Sequence, residues 1–248
     1  MSTKNRPDLS GPLAKLTCRA PICEEAQQAF LGLKAIREDY ATYRDVVREG
    51  DPTERCCFVE SGLLSRYKTL RNGNRQIVSF HLARDLVDMQ SCLVRIADHG
   101  IRTHTPTTLL TVSCDDILRI AAEFADLARA FWFETLVDAA IFREWTLNVG
   151  RRTARERTAH LLLEFAYRFK AIGLSDGREF VLPVTQADLA DAVGLSPVHV
   201  NRSLQWLRSQ GFIRTFGKTI VIEDRDALVR ESDFRSTYLH PEGPRAPA

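Results

Sequence analysis

The chain has 248 residues, 44% of them hydrophobic and 27% charged, with a formal net charge of +2. Those values suit two modest globular domains, each with its own core, and exclude a disordered or fibrous chain. No apolar run approaches the length of a membrane span, and the polar start MSTKNRPDLS lacks a signal-peptide core. The expected compartment is therefore the cytoplasm, where the six cysteines stay reduced.

Residues 1–23 carry Pro7, Pro12 and Pro21 and read as a loosely ordered N-terminal arm. Glu24 to Arg37 reads as a helix with Ala29, Phe30, Leu33 and Ile36 on its apolar stripe. From Tyr40 to about Val112 the texture changes to short β-prone runs punctuated by Gly50-Asp51, Gly62 and Asn72-Gly73-Asn74. Asn-Gly is a strong hairpin signal, and evenly spaced short strands imply a sandwich or barrel-like roll over residues 24–116.

Residues 117–149 contain no proline and no glycine and predict one long helix. Phe133, Val137, Ala140 and Leu147 fit a heptad-like seam, interrupted by Glu144. Gly150 is the expected hinge. Arg151, Arg152, Arg155 and Arg157 then lead into a helix whose apolar side carries Leu161, Leu162, Phe165 and Phe169. Between Gly150 and Arg225 there are 12 Lys/Arg against 8 Asp/Glu, an excess too small to identify a partner alone. Residues 232–248, rich in proline toward their end, read as a flexible tail.

The most informative stretch is Thr185–Ile222. Thr185 and Asp188 stand at the spacing of a capping box, and Leu189, Ala190 and Val193 give the helix an apolar face. Gly194 supplies the turn, and Ser196-Pro197 restarts a helix with a hydroxyl cap and proline at its first position. Val200, Leu204 and Leu207 point inward, leaving Val198, His199 and Arg202 exposed and Asn201 flanking them. Two short strands around Phe216-Gly217-Lys218 follow as a wing. Two helices so spaced place the second in a DNA major groove, its N-terminal turns on the base edges.

The segments VTQADLADAVGLS, NRSLQWL and FGKTIVIE resemble the Crp/Fnr superfamily of bacterial transcription regulators, and REGDPTERCCFVESGLL resembles the start of that family's β-roll. The resemblance implies an α+β fold: an N-terminal cyclic-nucleotide-binding-like jelly roll, a long dimerisation helix (117–149) and a C-terminal winged helix-turn-helix (150–231). It implies a homodimer on a pseudo-palindromic duplex, with RNA polymerase as a further partner and no membrane. Thr185, Ser196, His199, Gly217 and Lys218 match family positions that lie against the DNA backbone, while Arg202 matches a base-reading arginine. Gln186, Pro197, Val198 and Asn201 complete the expected DNA-binding set. Val198 stands where well-known members carry a base-reading glutamate, so the target should differ from the familiar half-site.

The expected effector is less legible. The family's cyclic-nucleotide pairs align with Asp88-Met89 and near Ala97-Asp98, which supply no cation for a cyclic phosphate; Arg102-Thr103 lies nearby. Cyclic nucleotide is therefore not expected, and no cofactor is evident. Cys18 and Cys23 lack the close-spaced third cysteine of an iron–sulfur branch, and His81, His99 and His104 are irregularly spaced for haem or a metal. A ligand- or redox-dependent sensor remains the alternative reading. No phosphate loop, HExxH or G-x-S-x-G occurs, so no enzyme is expected.

Overall fold

The structure, a computed structural model, describes residues 7–241. These form two compact units. One takes the chain up to Arg66, Phe80–Ala139 and the end from His240; the other takes Tyr67–Ser79 and Ala140–Leu239.

The first unit opens with α1 (Ser10–Arg19) and α2 (Glu24–Leu31). Of the expected loose arm, residues 1–6 lie outside the described residues, and Ser10–Arg19 is a packed helix. Pro12 is the third residue of α1, where no intrahelical N–H is needed, so proline does not oppose it. Leu9, Leu13 and Leu16 are buried. Lys15 bridges Asp85 at 3.1 Å and Glu134 at 2.6 Å, and Arg19 Nε donates to Glu134 at 2.9 Å. Helix α2 stops at Leu31 before Gly32, and Ile36–Tyr40 is strand β1 rather than more helix.

The roll is built from β1, β2 (Asp45–Val47), β3 (Arg55–Ser61), β4 (Leu64–Thr69), β5 (Arg75–His81), β6 (Gly100–Thr103) and β7 (Thr107–Ser113). One sheet runs β1-β7-β3 and the other β2-β6-β4-β5. Between β5 and β6 sits a one-turn helix, α3 (Ser91–Val94). Gly62 turns β3 into β4 with φ 106°, and a Cβ there would stand 2.4 Å from the Thr107 hydroxyl, so only glycine fits. Phe30, Phe58, Leu110, Ile117 and Ile120 lie at the centre of this unit's main core.

The expected single long helix is two. Helix α4 (Cys114–Glu123) ends at Phe124, whose φ −120° and ψ 102° are extended, and α5 (Ala125–Arg151) begins directly after it. No glycine or proline marks this break; Phe124 packs against the core instead. Gly150 lies inside α5, not at a hinge. The turn falls at Arg152-Thr153, where the Thr153 hydroxyl and the Glu156 carboxylate close a capping box on α6 (Ala154–Ala171).

Of the four residues expected to form a seam on α5, only Leu147 is exposed in the chain, at 47%. Val137 and Ala140 are each 5% exposed and belong to the chain's own interior, and Phe133 lies against His240. The apolar side chains that α5 leaves open are Trp132, Leu136 and Leu147.

After α6 come β8 (Glu179–Val181), α7 (Gln186–Val193), α8 (Pro197–Ser209), β9 (Ile213–Phe216), β10 (Thr219–Ile222) and α9 (Arg225–Ser232). The small sheet runs β8-β10-β9, all antiparallel. Chain beyond α9 is not loose as far as it is described: Phe234 and Leu239 are buried, and the Tyr238 hydroxyl donates to Glu164 at 2.7 Å. The rest of the expected tail, residues 242–248, lies outside the described residues.

Candidate nucleic-acid interface

Helices α7 and α8 are each started by a side-chain cap. The Thr185 hydroxyl accepts from Asp188 N at 3.1 Å, while Thr185 N donates to the Asp188 carboxylate at 3.0 Å. That reciprocal pair satisfies two donors no helix turn could reach. Helix α7 ends at Gly194, φ 63°. Ser196 caps α8 by accepting from His199 N at 3.4 Å, and Pro197 occupies the first turn.

Burial then sorts α8 into two faces. Val200 and Leu207 are fully buried and Leu204 nearly so. Pro197, Val198, His199 and Arg202 are exposed, and Asn201 is half-buried. Val198 keeps 59% of its surface open. The hydroxyl of Ser196 lies 2.8 Å from His199 Nδ1, and Asn201 Nδ2 donates to Gln186 Oε1 at 3.3 Å. The structure thus joins Gln186 and Asn201, and Ser196 and His199, as two polar pairs along the start of α8. Thr185 is exposed beside Gln186, but its hydroxyl is engaged by Asp188.

Gly217 and Lys218 stand apart from these, in the two-residue loop between β9 and β10. Gly217 has φ 58°, which a tight hairpin demands of its first loop residue. Lys218 is exposed at that tip. Phe216, 60% exposed, sits beside it with the Arg214 guanidinium 5.6 Å from its ring centroid.

Of the four arginines opening this region, two are structural. Arg152 donates to Glu144 at 2.7 Å. Arg157 donates to the carbonyls of Val193 and Gly194, placing a cation at the C-terminal end of α7. Arg151 and Arg155 are exposed, and Arg155 lies 4.4 Å over the Trp206 ring. Sequence reading also missed Arg75, in the outer part of the β4–β5 hairpin. It donates to Asp188 at 2.7 Å and Asp191 at 2.8 Å, so it fixes α7 from outside the motif. Only the i, i+3 spacing of the two carboxylates hinted that a cation was wanted there.

Inside the roll, Asp88, Asp98 and His99 meet one another, and the other polar groups considered for an effector meet neighbouring residues of the roll. Asp88 is 1% exposed, accepts from the Ser91 hydroxyl and stands 3.6 Å from His99 Nε2. Burial raises its carboxyl above the usual range against the pull of Ser91, His99 and Arg66. The Arg66 guanidinium donates to Val87 O and to Asp138. Met89 and Ala97 pack inside, whereas the Asp98 side chain is 82% exposed and meets His99 Nδ1 at 2.5 Å. Arg102 lies over the Tyr43 ring, Thr103 donates to Ala41 O at 2.7 Å, and His104 lies 2.8 Å from the Ser65 hydroxyl. His81 is buried as well. Cys18 and Cys23 are exposed; Cys56, Cys57, Cys92 and Cys114 are buried, and all six are free. Among the described residues no three His, Cys, Asp or Glu side chains are arranged to hold a metal ion.

Comparisons with known proteins agree with this geometry. Residues 156–231 match the Crp-like helix-turn-helix domain family, and residues 37–124 match the cyclic nucleotide-binding domain family. A probable transcriptional activator of Rhizobium leguminosarum bv. viciae is 26% identical over 226 residues, 88% of this chain and 93% of that protein. The transcriptional activator protein FnrL of Cereibacter sphaeroides is 28% identical over 217 residues, 85% of this chain and 86% of its own. The solved structure of FixK2 from Bradyrhizobium japonicum superposes with a TM-score of 0.73 at 27% identity, covering 86% of this chain and 99% of that one.

Proposed function

The chain belongs to the Crp/Fnr superfamily and is a transcription regulator with a helix-turn-helix DNA-binding domain; from that premise we propose that it acts as a homodimer reading a pseudo-palindromic duplex through the start of α8. The observation that carries this reading is the division of α8, with Val200, Leu204 and Leu207 locked into the core while Val198, His199 and Arg202 stand open. Arg202 has a planar fork suited to guanine O6 and N7, and Val198 offers only a methyl-sized contact to thymine. Ser196, His199 and Lys218 neutralise or hydrogen-bond backbone phosphates, with the Gly217 turn bringing the strand edge close.

Reading two half-sites needs two copies of α8. Support for self-pairing comes from α5, where Trp132 and Leu136 are one helical turn apart and Leu147 follows eleven residues later, on the same face. They are 68%, 51% and 47% exposed. RNA polymerase is the further partner we assign. No helix among the described residues is long and apolar enough to cross a membrane, which fits the cytoplasmic compartment we propose. We assign no catalytic activity, since the relatives named above are regulators.

Effector binding is a separate matter. The engagement of Asp88, Arg66, His99 and Thr103 with protein partners supports a roll that takes no cyclic nucleotide. Selection from randomised duplexes with purified, metal-free protein tests the whole reading. Recovery of a two-fold symmetric site, bound without added nucleotide, is expected. Recovery of no sequence, or binding only after addition of a cyclic nucleotide, would reject it in part or whole.

A further inference from the structure

One side chain of the wing has no part in the polar contacts assigned so far. Phe216 ends β9, directly before Gly217 and Lys218, and is 60% exposed. Among the described residues of the second unit it is the one exposed aromatic. Exposure of a single apolar residue decides nothing by itself. Its place on the sheet and the charges around it do.

The strand register says which way the ring points. Phe216 pairs with Thr219, and Thr219 with Val181, so the three side chains form one row across β9, β10 and β8. Thr215, on the opposite face, accepts from Arg208 of α8 at 3.1 Å. The Phe216 row therefore lies on the face of the sheet turned away from α8. Val181, at the far end of the row, is 56% exposed. The ring thus extends the wing tip outward, beyond the stretch that α8 covers.

Arg214 shares the ring's face and sets its guanidinium 5.6 Å from the centroid. The charges about the ring are Arg178, Arg214 and Lys218 against Glu223 and, two strands away, Glu179. Both guanidiniums donate to the one Glu223 carboxylate, while Lys218 stands exposed at the tip. An apolar ring alone suits many partners. A ring set among excess cations, and continuous with a phosphate-contacting tip, suits the polyanion that the tip already meets. Duplex DNA has apolar surface of its own beside the phosphates: the carbon faces of the deoxyriboses, which wall the minor groove.

We propose that Phe216 is a further DNA-contact residue, packing its ring on the deoxyribose wall of the minor groove that flanks each half-site. The proposal rests on the reading of α8 as the major-groove helix. It adds a contact on the side of Lys218 away from α8, apolar where the others are polar. Its gain follows buried apolar area and not counterion release, so it raises affinity without raising salt dependence.

The test uses the full chain and the duplex recovered by site selection, in two lengths. One duplex ends at the outer edge of the half-sites, and the other continues for about one helical turn at each end. Phe216→Ala should bind the long duplex about tenfold more weakly for each half-site engaged. Its slope of log K on log salt should match the parent's, and the short duplex should not tell the two proteins apart. Hydroxyl-radical cleavage, which reports deoxyribose hydrogens open to the minor groove, should show a protected flank in the parent that Phe216→Ala exposes. Equal affinity of the two proteins for the long duplex, an unchanged footprint, or an equal loss on the short duplex overturns the proposal. Should Phe216→Ala unfold at lower urea than the parent, Phe216→Gln, of similar reach but without the ring, replaces it in the same comparison. Selection of no duplex takes down this contact together with the reading of α8. A duplex that is selected, but bound alike by parent and variant, takes down this contact alone.

Discussion

Arg75 and Asp188 are 113 residues apart in the chain and 2.7 Å apart in the fold. Asp188 is also the carboxylate that closes the cap of α7, accepting from Thr185 N. One carboxylate therefore serves a helix start and a distant guanidinium, and Asp191 on the next part of the helix face adds a second acceptor at 2.8 Å. The Asp188 side chain is 5% exposed, so its charge depends on these partners rather than on water. Gln76, beside Arg75, donates to Ala192 O at 3.2 Å and fixes the other end of α7.

Arg75→Ala should lower stability by about 1–3 kcal/mol, the range for losing a hydrogen bond to a charged, mostly buried group. Asp191→Asn should cost less, because that side chain is 30% exposed. Urea midpoints with an unchanged denaturant slope, together with faster amide exchange across Gln186–Val193, are the expected readings. A variant that melts with the parent and protects α7 equally would make the pair incidental.

How much of this could be read from the sequence depends on whether a local rule governed the element. Thr185, Gly194, Ser196 and Pro197 obey local rules, so the starts of α7 and α8 and the turn between them were legible to the residue. Thr153 and Glu156 obey the same capping rule, and applying it would have moved the hinge from Gly150. The break at Phe124 follows no local signal, because core packing sets it. Arg75 and Arg157 were illegible for a related reason: each acts across a long sequence separation. Heptad counting on α5 finds apolar residues without saying which of them the chain buries for itself. Val137 and Trp132 differ in just that respect.

Gly194 carries two constraints. Its φ of 63° is left-handed, and an added Cβ would lie 2.5 Å from Val149 Cγ1. Gly194→Ala should cost about 1–2 kcal/mol for the backbone alone, with the clash adding to it. Combining it with Val149→Ala should recover the clash but not the backbone cost, a coupling measurable in a double-mutant cycle. Strict additivity of the two substitutions would rule out the contact.

On DNA, Arg202 and Lys218 should fail differently. Arg202→Ala should lose about 1–3 kcal/mol of discrimination at one base pair of each half-site. Lys218→Ala should weaken all sequences alike and flatten the dependence of log K on log salt by about 0.9 per lost phosphate contact, or about 1.8 for a dimer. Fluorescence anisotropy on matched and single-mismatch duplexes over a salt series separates them. Arg202→Ala with its base preferences intact would remove that residue from direct readout.

Leu136 lies at the middle of the open stripe on α5, 51% exposed. Leu136→Glu places a charge where two helices would meet, and burying it without a partner costs far more than the leucine contributes. The variant should sediment as a monomer, keep the monomer's circular dichroism, and lose affinity for the full site more than for a half-site. An unchanged sedimentation coefficient would move the self-contact elsewhere.

The last prediction concerns acid. Glu144 lies 3.1 Å from His160 Nε2 and accepts from Arg152 at 2.7 Å. The close approach of His160 first, and the hydrogen bond from Arg152 second, outweigh burial and hold its carboxyl below the ordinary 4.5. A group whose folded value is depressed contributes stability that is full above the unfolded value and disappears as pH falls through the folded one. Glu144→Gln should therefore be less stable than the parent at neutral pH. The gap should stay constant down to about 4.5 and close below it, as the parent's carboxyl becomes protonated and the two side chains turn alike in charge. Urea denaturation of both proteins across the acid range measures it. A gap that persists unchanged well below the ordinary glutamate value would mean that Glu144 acts through shape and neutral hydrogen bonding, not through its charge.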